Sequence, residues 1–86
     1  MLWRGERSAS LILVNTEPGK LWEVSDTVHR IKGVKMAHAV TGQFDVVAYA
    51  EFVKMDDLGQ IIEEIQHLKG VRRTQTVIVV PPPIRK

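Results

Sequence analysis

The chain contains no cysteine, its aromatic content is 6%, its formal net charge is only +2, and it has no long apolar run among its 86 residues. Each absence removes a class of protein. Without thiols there is no disulfide framework, no thiolate nucleophile and no cysteine-held zinc or iron–sulfur centre. No stretch approaches the roughly 20 apolar residues of a membrane-crossing helix, and Met1 to Ser10 lacks the apolar middle of a secretory signal. Twelve Lys and Arg stand against ten Asp and Glu and are spread along the chain, so no basic stripe addresses nucleic acid. Arg4, Arg7, Arg85 and Lys86 read as solvated termini. The expectation is a soluble, cytoplasmic protein without membrane, metal, cofactor or direct nucleic-acid partner.

What is present fits one core. A chain of this length buries only about 60 to 65 per cent of its unfolded surface, so covering further apolar surface with a second copy is an effective source of stability. One domain over residues 8–80 is expected, with 1–7 and 81–86 as extensions.

The pattern is written twice. At an offset of 37 positions Leu21, Val24, Val28 and Ile31 align with Leu58, Ile61, Ile65 and Leu68, and Lys32-Gly33-Val34 aligns with Lys69-Gly70-Val71. Both apolar sets have the spacing of one helix stripe, and both stop at a glycine suited to a left-handed residue. The first helix is expected to begin near Pro18 and the second near Met55, with Asp56 and Asp57 at the positive end of its dipole. Gly59 reads as close helix packing.

Four stretches have strand composition: 9–15, 35–40, 44–52 and 74–80. Strand, helix, strand therefore occurs twice, joined through Thr41-Gly42-Gln43, short enough for a hairpin. Two right-handed βαβ units joined in this way make an α+β, ferredoxin-like βαββαβ fold with an antiparallel four-stranded sheet. Both helices then cover one face. In 46–52 both parities are largely apolar, Val46, Ala48, Ala50 and Phe52 against Val47 and Tyr49, so the other face should meet a second copy of the chain. Pro81-Pro82-Pro83 ends the last strand.

Chemistry-bearing residues are sparse. His29 and His67 read as surface histidines, while His38, on the second strand, is the one candidate base. Glu63, Glu64, Asp56 and Asp57 read as solvated helix charges. Asp45 stands apart, because an acid opening an apolar strand is not chosen for strand propensity. It either caps the turn or offers a carboxylate to a cationic group. Thr74 and Thr76, two residues apart, put both hydroxyls on one face of the last strand. If that face borders a subunit interface, the two hydroxyls together with backbone groups at Gly42 and the Asp45 carboxylate have the donors and acceptors a zwitterion needs.

Pro18-Gly19 before a helix, Lys32-Gly33-Val34 after it, Thr41-Gly42-Gln43-Phe44-Asp45 at the hairpin and Gly70-Val71-Arg72-Arg73-Thr74-Gln75-Thr76 into the last strand resemble the effector-binding (RAM) domain of the Lrp/AsnC regulators, over nearly the whole chain. The resemblance implies a ferredoxin-like domain that dimerises through its sheets in a dimeric α/β-barrel-type association. It also implies dimers assembling further, often into octamers, with amino acids bound where dimers meet. Ligand contacts carry over to Gly42, Gln43, Phe44, Asp45, Thr74 and Thr76. Gln43 and Phe44 depart from the acidic residue and tyrosine common in the family, which removes a phenolic hydroxyl. Since only a few residues precede the first strand, the expectation is a stand-alone effector domain acting through a full-length Lrp/AsnC regulator, and not an enzyme. A small cofactor-free oxygenase or isomerase using His38, and a purely structural oligomer, are the alternatives.

Overall fold

Alternation decides how the first strand sits. In β1 (Ser8–Thr16) Ser10, Ile12 and Val14 are fully buried while Leu11, Leu13 and Asn15 are half-buried, the period of two imposed by a sheet with one covered face. There follow α1 (Leu21–His29), β2 (Val34–Ala39), β3 (Val46–Phe52), α2 (Met55–Gln66) and β4 (Val71–Ile78), in a computed structural model that describes residues 8–82. Neighbouring strands pair antiparallel in the order β2-β3-β1-β4. Each helix thus joins two parallel strands that have a third between them, which is the ferredoxin-like βαββαβ arrangement expected from the pattern. The expectations for Arg4, Arg7, Pro83, Arg85 and Lys86 lie outside the described residues. No helix among the described residues is long and apolar enough to cross a membrane.

The core forms where the two helix stripes meet one sheet face. Val24 and Val28 of α1 and Leu58, Ile61 and Ile65 of α2 pack on Ile12, Val14, Val46, Ala48, Ala50 and Phe52. Full burial of each large aliphatic side chain contributes about 1.5–3 kcal/mol. Small Ala48 and Ala50 on β3 leave room for the helices to approach. Ser10, the buried polar side chain in this layer, donates its Oγ–H to the Val77 carbonyl at 3.0 Å, so its burial leaves no unmet hydrogen bond.

The two halves correspond more closely than one offset describes. The N-caps Lys20 and Lys54 are 34 positions apart, whereas the C-caps Arg30 and His67 are 37 apart, because α2 has 12 residues and α1 has 9. Gly33 and Gly70 have φ of 97° and 96°, and each turns against the helix of the other half. A Cβ on Gly33 would lie 2.7 Å from Ile61 Cδ1, and one on Gly70 would lie 2.9 Å from Lys20 Cβ.

Three expectations need correction. The helices stop before these glycines, which sit in the turns leading to β2 and β4. α1 starts at Leu21 instead of Pro18, because Gly19 has φ of 81° and Lys20 N–H closes a turn on the Glu17 carbonyl at 3.0 Å. Pro then Gly at the central positions is type II turn chemistry, and a left-handed residue cannot lie in a helix. Gly59, finally, meets nothing within 4 Å of its Cβ direction, so it lies in open space and packs against no neighbour.

Candidate functional site

The β2–β3 connection is longer than the three residues expected. Ala39 pairs with Val46, leaving 40–45 as the loop, which Val40 N–H closes on the Asp45 carbonyl at 2.8 Å. Gly42 takes φ of 122° at its exposed tip, a conformation that favours glycine. Three bonds hold this hairpin against the end of β1. Asp45 N–H donates to the Val14 carbonyl (2.9 Å), Thr16 N–H donates to Asp45 Oδ2 (2.8 Å), and Asn15 Nδ2 donates to the Gln43 carbonyl (2.8 Å). Thr16 Oγ1 also approaches Oδ2, at 3.4 Å. One carboxylate oxygen of Asp45 therefore caps the turn, resolving the first of its two roles. Oδ1 has no hydrogen-bond partner among the described residues.

On the other side of β1 the ladder slips. Asn15 pairs with Arg73 but Thr16 pairs with Val71, so Arg72 is the extra residue of a β-bulge. Simple alternation sends adjacent side chains to opposite faces, and a bulge re-aims them. Here both Arg72 and Arg73 line one cleft of about 360 Å³ together with Asn15, Thr16, Gln43 and Asp45. Both arginines are exposed, and neither has an ion pair or side-chain hydrogen bond among the described residues. Two guanidinium forks and one oriented carboxylate can hold carboxylate and ammonium groups together.

Of the six residues singled out from the sequence, Gln43 and Asp45 line this cleft. Gly42 stands at the hairpin tip, and Phe44 is half-buried beside it. Thr74 and Thr76 share one face, as spacing required, but they lie opposite Val14 and Ile12 on the helix-covered side. Thr74 Oγ1 accepts from Gln66 Nε2 of α2 at 3.2 Å. Within one chain the threonines therefore do not join the hairpin group. Asn15, Thr16, Arg72 and Arg73 carry the cleft without having been among those six. The polar pair ending an otherwise apolar strand just before Pro18 was a usable signal, whereas no sequence feature announces a bulge.

A second cleft, of about 340 Å³, lies at the opposite end of the sheet and mixes Lys32 and Lys35 with Glu51, Asp57 and Glu64. The open face of the sheet has an apolar centre, bordered by exposed Gln75. Leu11, Leu13, Val47 and Tyr49 are half-buried at its centre, flanked by exposed Met36 and Val77. His38 is exposed on the same face, opposite Val47, and His29 and His67 are exposed as expected.

The family model described as the Lrp/AsnC ligand binding domain matches residues 10–85. An uncharacterised HTH-type transcriptional regulator of Pyrococcus furiosus is 24% identical over 76 residues, which cover 88% of this chain and 51% of that one. The chain thus spans about half the length of the regulators it matches. A homocitrate synthase of Saccharolobus islandicus is 38% identical over 50 residues, 58% of this chain and 11% of the enzyme. Among solved structures, a hypothetical protein of Pyrococcus horikoshii superposes with a TM-score of 0.77 at 30% identity, covering 87% of this chain and 92% of that one. A Neisseria meningitidis transcriptional regulator in complex with L-Met shares the fold with a TM-score of 0.76 at 20% identity, covering 91% of this chain and 53% of that one. With the βαββαβ fold and a family model spanning nearly every residue, this chain belongs to the Lrp/AsnC ligand-binding domain family of transcriptional regulators.

Proposed function

We propose that the chain is a small-molecule sensor that binds an amino acid or a close metabolite at the hairpin end of its sheet and couples binding to self-assembly. The observation that carries this reading is the cleft in which the hairpin's Gln43 and Asp45 face Arg72 and Arg73, because α-amino and α-carboxylate groups need opposite partners side by side. Gly42 and Phe44 border the ligand from the hairpin. Thr74 and Thr76, near the sheet edge formed by β4, serve a ligand held by a neighbouring dimer.

Dimerisation uses the open sheet face around Leu11, Leu13, Val47 and Tyr49, whose apolar content suits burial by a second copy. Dimers associate further, up to an octamer, and the ligand shifts that equilibrium by its differential affinity for the assembled form. The output reaches transcription in the cytoplasm through a partner regulator of the same family, with no chemistry performed on the ligand. The Neisseria relative's complex with L-Met supports the amino-acid class. The partial match within a homocitrate synthase supports a module that serves more than one kind of host protein.

Light scattering coupled to size-exclusion chromatography, with and without a pool of common amino acids, tests the reading. The expected result is an assembly larger than one chain whose mass or dissociation midpoint moves with the pool. A monomer in both conditions removes the assembly mechanism, and an assembly indifferent to every amino acid removes the sensing role.

A further inference from the structure

The hairpin cleft carries an excess of positive charge that a neutral amino acid leaves unanswered. Its α-carboxylate engages one guanidinium and its ammonium engages Asp45, so the second guanidinium faces solvent. We infer that the cleft takes an acidic amino acid, with its second carboxylate on the second arginine; this rests on the amino-acid reading above and names the ligand class.

Three observations converge on it. The bulge opposite Asn15 and Thr16 lets consecutive residues Arg72 and Arg73 line one cleft, against the alternation that would separate them. Neither guanidinium is used elsewhere among the described residues, so neither must give up an ion pair to meet a ligand. The Asp45 carboxylate is oriented by Thr16 through Oδ2, which leaves Oδ1 for an ammonium group. The side-chain amide of Asn15 is occupied by the Gln43 carbonyl, so it holds the hairpin in place and does not read the ligand.

The second cleft of the molecule makes the contrast. Its place in the repeat gives Lys35 where this one has Arg72 and Met36 where this one has Arg73, and three carboxylates line it. Among the described residues, paired, unneutralised guanidinium groups therefore occur at one end of the sheet only.

Isothermal titration of the intact protein decides the matter, using L-glutamate, L-aspartate, L-glutamine, L-asparagine, L-leucine, glutarate and inorganic phosphate at one fixed ionic strength. The acidic amino acids are expected to bind at least about tenfold tighter than their amides, the discrimination supplied by one charge-assisted contact. Glutarate and phosphate, which lack the ammonium group, are expected to be similarly weaker. Of Arg72→Gln and Arg73→Gln, the one that removes the partner of the side-chain carboxylate should bring acid and amide to within about threefold and the other should weaken both together, while lysine in place of the first keeps part of the preference. Asp45→Asn, which retains an oxygen acceptor for Thr16 N–H, should weaken glutamate and leave glutarate unchanged. Circular dichroism of each variant confirms the fold.

Each contrary result points to a different failure. Amides or leucine binding as tightly as glutamate overturns the acidic class and leaves the amino-acid reading standing. Glutarate or phosphate matching glutamate makes the cleft a plain anion site and overturns both the class and the Asp45 role. Binding of none of these ligands overturns this inference, and the amino-acid reading then stands or falls on the pool experiment above.

Discussion

The two βαβ halves share a skeleton and differ in what they hang on it. Each has a helix ending four residues before a glycine with φ near +97°, and that glycine presses on the opposite helix. Each then slips its ladder by one residue, at Lys35 in β2 and at Arg72 in β4. Beyond this point the halves diverge. Arg73 follows Arg72 where Met36 follows Lys35, and the β2–β3 hairpin leans on the end of β1. At the other end of the sheet the start of β1 and the end of β4 lie side by side, with Val79 N–H donating to the Ala9 carbonyl at 2.9 Å. Repetition builds the scaffold, and the site grows where the repeat is broken by the one connection that joins its copies.

Substitutions at equivalent positions sharpen the comparison. Ile65 and Val28 are both fully buried at matching places in the two helices. Ile65→Ala is expected to cost about 2–5 kcal/mol, and Val28→Ala about 1 kcal/mol less for the smaller side chain removed. Urea unfolding read by circular dichroism gives both values; equal costs would show that the halves are not packed alike. Against a total stability of about 4–13 kcal/mol for a domain of this size, Ile65→Ala stands to leave a substantial unfolded population.

Next come the turn glycines. An alanine in this left-handed conformation costs about 1–2 kcal/mol before any contact is counted. At Gly33 the added methyl crowds only the terminal Cδ1 of Ile61, at 2.7 Å, with Ile61 Cγ1 and the Glu51 carbonyl at 3.6 Å, whereas at Gly70 it meets Lys20 Cβ and Cγ and Val24 Cγ2 between 2.9 and 3.1 Å. Gly70→Ala is therefore expected to cost about 2–3 kcal/mol, more than Gly33→Ala. The reverse order in the same unfolding experiment would mean that the α1 side yields more easily than the α2 side.

Asp45→Ala tests the asymmetric element. Removing the acceptor of Thr16 N–H should cost about 1–2 kcal/mol and raise the hydrogen-exchange rate of the Thr16 amide, with little change at the opposite end of the sheet. Protection of Thr16 that survives the substitution would show that the hairpin is held by Asn15 and by the Asp45 N–H bond to the Val14 carbonyl without the carboxylate. The smallest effect is a gain. Gly59 is in α2 with open space around it, so Gly59→Ala should raise stability by about 0.5–1 kcal/mol.

Much of the fold is legible in the residues. The two helix stripes, the six elements in order and the covered parity of β3 follow from periodicities of 3.6 and 2, because burial on one side selects them directly. Helix starts are less legible, since Pro18-Gly19 suits a first helical turn and a type II turn equally until φ at Gly19 is known. Only part of the candidate site was readable. Gln43 and Asp45 stand out as polar residues before an apolar strand, and they do line the cleft. Arg72 and Asn15 enter it through pairing register, a long-range property that the local sequence does not encode. Thr74 and Thr76 gave a correct common face, but which face they share depends on the same register.

The adjacency of Ala9 and Val79 also sets how this domain communicates. A host protein joined before β1 or after β4 attaches at the end of the sheet remote from the hairpin, and the 9 residues of β1, at about 3.4 Å each, separate the two ends by about 25–30 Å. A ligand in the hairpin cleft does not touch such a neighbour. On the proposed sensor reading the message is carried by the packing of one copy on the next, so quaternary geometry becomes the output and the attached host is free to be of any kind.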